Sequence, residues 1–122
     1  MDFDVELRFQ KLKSLLEENF GEGMDVQAIL FLIGVNELGT GYSKFSKSEK
    51  TDLIHVAVCT LLEPYGYYRF EKRDEENWPH FTLVENLPPL DHAQQQHLMK
   101  EAMIEYFIEN DYFKAEQIKS DQ

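Results

Sequence analysis

The chain predicts a helix-dominated α+β domain: four main helices, with one β-hairpin between the third and the fourth. Three observations predict it. Apolar residues recur at steps of three and four through most of the sequence. That period gives way after Pro64 to alternating aromatic residues and returns after Asp91. Glycines, prolines and capping residues fall between the periodic segments.

The first helix is read from Asp2 to Phe20, where Val5, Phe9, Leu12, Leu16 and Phe20 make one stripe that Leu7 and Leu15 widen. Gly21 is placed to cap its C-terminus. Asp25 can cap a second helix, "VQAILFLIGVNEL", which is apolar nearly all round and is predicted to be the most buried element. It ends at the glycines of "ELGTGY", with Glu37 opposing the helix dipole unless it meets water or a compensating group. Ser46 and Glu49 have capping-box spacing and open the third helix, which runs to about Leu62 and stops before Pro64.

"YGYYRFEK" and "WPHFTLVE" then read as two strands joined by the charged "RDEEN". Tyr68 and Phe70 alternate on one strand, Phe81 and Leu83 on the other, and Pro79 assigns the start of the second strand to an edge or bulge. Asp91, with Gln94 three residues on, caps the last helix, whose stripe is Leu98, Met99, Ala102, Met103, Tyr106 and Phe107. The tail has room for a short further helix, with fraying expected over about 114–122. No repeat or linker divides the chain, so a single domain spanning 1–122 is expected.

The formal net charge of −11 disfavours nucleic acid and anionic membrane surfaces, since no basic patch offsets it. The longest apolar run, "AILFLIGV", is too short to span a bilayer, and the N-terminus lacks the features of a signal peptide. A single cysteine, Cys59, fits a reducing, cytoplasmic setting. The loop "GTGYSKF" lacks the Lys–Ser/Thr pair of a phosphate-binding loop and follows a helix rather than a strand.

Three groups of residues carry possible chemistry. On a wheel of 100° per residue, Ser48, Asp52, His55, Cys59 and Glu63 fall within about 80° of one another on the third helix. The plain reading is a stripe that faces water or borders the core, with Cys59 as a small packing residue. One alternative is a metal site using Asp52, His55 and Cys59, completed by Glu37, His80 or His92. No HExxH or CxxC pair supports that metal reading. Another alternative is a Cys59 nucleophile activated by His55 and oriented by Asp52, but at the middle and end of a helix the dipole does not help a thiolate, and no oxyanion donors are evident. The second group, His97, Glu101 and Glu105 at steps of four, reads as the solvated side of the last helix. The third is aromatic: Tyr65, Tyr67, Tyr68, Phe70, Trp78 and Phe81 pack the hairpin or form an interaction surface, self-association through the hairpin edge included.

The segments "LFLIGVNELGTGY", "DLIHVAVCTLLEPYGYY" and "WPHFTLVE" resemble those of a family of small bacterial proteins of unknown function. That resemblance covers most of the chain and implies no activity and no site. The expectation from the residues is a non-enzymatic protein-interaction module, an adaptor or an inhibitor of a basic partner, with no cofactor and with a homodimer as one form of partnership. Two alternatives stay open: the metal-binding protein, and a small-molecule binder with a pocket between helices and hairpin, gated by "GTGY".

Overall fold

The computed structural model describes residues 3–40 and 43–118, with only the backbone of Phe3 and Ala115. Their order is α1 (Phe3–Phe20), α2 (Val26–Leu38), α3 (Lys47–Leu62), β1 (Tyr68–Arg73), β2 (Pro79–Leu83) and α4 (His92–Glu109), closed by a 3₁₀ turn at Ala115–Ile118. The helix-dominated α+β class is therefore correct, hairpin included. No helix among the described residues is long and apolar enough to cross a membrane. The "GTGY" loop lies partly outside the described residues, as do Asp2 and positions 119–122.

The chain forms two compact units: residues 26–88 make one, and the segments flanking them make the other. In the flanking unit α1 packs with α4 and with the 3₁₀ turn. Val5, Phe9, Leu12 and Leu16 of the α1 stripe are buried; Leu7, off the step of three and four that they share, is 52% exposed, and Phe20, on that step but the last residue of the helix, is 53% exposed. On α4, Ala102, Met103, Ile104, Tyr106 and Phe107 are buried, while Leu98 and Met99 are half-buried. Lys100 binds Glu6 at 2.7 Å and lies 5.1 Å from the centre of the Phe9 ring. That ion pair, with a hydrogen bond from Gln10, holds the Glu6 carboxyl below its ordinary range. Arg8 Nε donates to the carbonyl of Ile118 at 3.3 Å, which ties the 3₁₀ turn to α1.

In the unit 26–88, α2 lies along α3. Ile29, Leu30, Ile33, Gly34, Val35 and Leu38 of α2 are buried, as its all-round apolar sequence predicts. Both expected capping boxes form: Ser46 with Glu49 on α3, and, on α4 of the other unit, Asp91 with Gln94. Gly21 and Gly39 take φ of +96° and +81° just past the ends of α1 and α2, the left-handed conformation that suits glycine at a helix end.

The hairpin pairs Tyr68 with Leu83, Arg69 with Thr82 and Phe70 with Phe81, then shifts by one at a bulge beside Glu71 to pair Lys72 with His80 and Arg73 with Pro79. Of the six aromatic residues, Tyr65 and Phe70 are exposed; Tyr67, Tyr68, Trp78 and Phe81 are half-buried. Packing of the cluster into a core is thus incomplete. Trp78 packs against a buried cluster of Val35, Leu38 and Leu53.

Candidate functional site

An open cleft of about 450 Å³ lies between α3 and the hairpin turn. Glu49, Asp52, His55 and Val56 of α3 form one wall. Asp74, Glu76, Trp78, Pro79 and His80 form the other. The capping box fixes where α3 starts, and steps of three and four from Glu49 then bring Asp52, Val56 and His55 to the same side.

The opposite wall is built by the turn. Asp74 Oδ1 accepts from the backbone N–H of Glu76 at 2.9 Å and of Trp78 at 3.0 Å, folding the charged loop around one carboxylate. Asn77 takes φ of +70°, which asparagine tolerates better than most residues. Two side chains fasten this turn to the end of α2. Arg73 donates to the carbonyl of Glu37 at 2.6 Å and of Leu38 at 3.4 Å, and Asn77 Nδ2 donates to Leu38 at 3.1 Å. These are the carbonyls a helix leaves unpaired at its C-terminus. The group needed at the negative end of α2 is thus a guanidinium from the hairpin.

Four carboxylates and two imidazoles line the cleft, and no lysine or arginine does among the described residues. His80 Nε2 lies 2.8 Å from Asp74 Oδ2. That contact first, and then the Trp78 N–H, holds the Asp74 carboxyl below its ordinary range.

The structure separates the residues of the predicted α3 stripe. Asp52, His55 and Glu63 are exposed, and the first two line the cleft. Cys59 is only 1% exposed, lying one turn from the buried Val56 and Leu62. Its Sγ is 3.5 Å from His55 Nε2, and the His55 ring meets Tyr68 edge to face at 6.4 Å. Burial pushes the Cys59 thiol up to about 11, the opposite of what a nucleophile or a metal ligand needs. Among the described residues no three His, Cys, Asp or Glu side chains are placed to hold a metal ion. Of the three donors in the metal reading, Asp52 and His55 thus stand at the cleft while Cys59 is buried. His80, one of the proposed completing ligands, lines the cleft; His92 opens α4 in the other unit. His97 and Glu101 are half-buried rather than solvated, and Glu105 is exposed.

Sequence reading missed Glu49, Asp74 and Glu76 as lining residues. An Asp four residues before a Trp in a hairpin turn was the available signal for Asp74; nothing local marked the other two.

Comparison with family models, with curated proteins and with solved structures gives no match.

Proposed function

We propose that the chain is a non-enzymatic interaction module, and that the cleft between α3 and the hairpin turn receives a lysine or arginine side chain of a protein partner. The observation that carries this reading is the lining itself: Glu49, Asp52, Asp74 and Glu76 around Trp78, whose ring is held against Val35, Leu38 and Leu53. An aromatic ring attracts a cation over its face, and carboxylates at the rim add charge-assisted hydrogen bonds. The net charge of −11 steers basic partners toward the protein at long range.

Trp78 is the one tryptophan of the chain, so its fluorescence reports on the cleft. Titration with a lysine- and arginine-containing peptide is expected to give a saturable change that weakens as salt rises. Asp52→Asn combined with Glu76→Gln is expected to weaken binding by about tenfold, since desolvated charge pairs carry energies of that order. An equal response to a peptide with acetylated lysines and citrulline in place of arginine rejects the reading. The cleft volume also admits a free organic cation, a second reading favoured if a polyamine alone saturates the signal.

A further inference from the structure

We infer that the outer edge of β2 is a self-association edge, on which a second copy of this chain adds its own β2 antiparallel about a two-fold axis at Thr82. The hydrogen-bond pattern of the hairpin carries the inference. Val84 N–H donates to Tyr67 at 2.9 Å, and Phe70 N–H leaves the hairpin to reach Glu63 Oε2 at 3.1 Å. In an antiparallel pair, bonded and non-bonded residues alternate. Arg69 and Thr82 therefore face each other as a bonded pair, while Tyr68, Phe70, Phe81 and Leu83 turn their backbone groups away from the partner strand.

The two outer edges are not alike. On β1 the Glu63 carboxylate occupies the outward N–H of Phe70, a bulge follows at Glu71, and Arg69, Glu71, Lys72 and Arg73 add charge. These devices keep other strands from pairing. β2 has none of them beyond Pro79 at its start. Its residues are Pro-His-Phe-Thr-Leu, without Lys, Arg, Asp or Glu, and Leu83 is 51% exposed. Neither Phe81 nor Leu83 makes a backbone hydrogen bond outside the hairpin among the described residues.

One usable edge per chain means that pairing closes at two copies and does not run on into a fibre. With the axis at Thr82, Phe81 of each copy faces Leu83 of the other, and the outward N–H and C=O groups of both residues are met. The next outward position is Pro79, which has no N–H, so the ladder ends there. Apolar side chains meet at the centre, so the contact avoids juxtaposing like charges in two copies that each carry −11.

Sedimentation velocity over a range of concentrations, at low and high salt, tests the inference together with amide hydrogen exchange. The expected result is a monomer–dimer equilibrium that tightens as salt screens the repulsion. Protection of the Leu83 and Phe81 amides rises with protein concentration while that of Thr82 stays constant. Leu83→Pro deletes the outward donor without touching the hairpin's own ladder, and is expected to weaken dimerisation at least about tenfold. If Leu83→Pro fails to fold, Leu83→Lys gives the same readout with the backbone intact. A monomer at every concentration in both salts overturns the inference. So does a dimer that neither variant weakens, or one in which only an unrelated extended peptide protects Leu83.

Discussion

Gly34 of α2 sits against the backbone of Leu53 of α3 so closely that a Cβ at position 34 would overlap the Leu53 carbonyl oxygen. The two helices of the unit 26–88 thus meet backbone to backbone. Helix propensity alone favours Ala over Gly by about 1 kcal/mol. Here the clash is with main chain, which cannot swing aside, and overpacking costs about 1–3 kcal/mol. Gly34→Ala is expected to lower the thermal midpoint, and Gly34→Val to lower it further. A Gly34→Ala midpoint above that of the wild type would show that α2 and α3 stand farther apart.

Ile29 and Ile33 are fully buried on α2. Ile29→Asp or Ile33→Asp places an unpaired carboxylate there, at a cost comparable with the stability of a small domain. Loss of the cooperative melt by circular dichroism is expected. A soluble variant with an unchanged midpoint would remove α2 from the core.

Arg73 ends α2 from the hairpin, through the carbonyls of Glu37 and Leu38. Arg73→Ala is expected to cost about 1 kcal/mol in denaturant unfolding, the net worth of a typical hydrogen bond. Arg73→Lys should recover little of it, because an ammonium lacks the planar fork that reaches two carbonyls and Asn77 together. Full recovery by lysine would reduce the contact to charge alone.

Cys59 has a thiol raised by burial from 9.0 to about 11. A raised acid keeps its proton longer in the folded state, so its contribution is intact below the ordinary thiol value and is lost as pH climbs toward 11. Cys59→Ala should therefore lose less stability than the wild type between those two values. Alkylation by iodoacetamide at neutral pH should be slow until denaturant is added. Rapid alkylation of the native protein would place the thiol outside the core.

Asp74 titrates in the opposite sense. Its carboxyl is held below 3.8 by His80 and the Trp78 N–H, so it stabilises the fold above that value and stops doing so as pH falls through the lower folded one. Acid unfolding followed by Trp78 fluorescence should be less steep in Asp74→Asn, whose amide oxygen can still accept from the turn. Identical acid curves would detach the turn from this carboxylate.

Much of the fold was legible because its signals are local. Ser46 with Glu49, Asp91 with Gln94, and the switch from a period of 3.6 to a period of 2 each fit within a few residues, and the structure carries all three. The cleft was not legible, because its walls come from α3 and from a turn about twenty residues farther on, joined only in space. Arg73 reaching Glu37, Glu63 reaching Phe70 and Gly34 lying on Leu53 are contacts of the same kind. Cys59 shows the limit of a helical wheel: an angle places a residue on a stripe, while the neighbours packed around the stripe decide which end of it stays wet.

The continuous unit 26–88 interrupts the unit built from its flanks, and this imposes an order on biosynthesis. α1 is made before the unit 26–88, yet the helix it packs with, α4, is made after it. α2, α3 and the hairpin have their contact partners within a short span and can assemble as soon as they emerge. During that interval the stripe of Val5, Phe9, Leu12 and Leu16 waits without α4, so this stripe is the apolar surface the nascent chain leaves open to chaperones and to aggregation for longest.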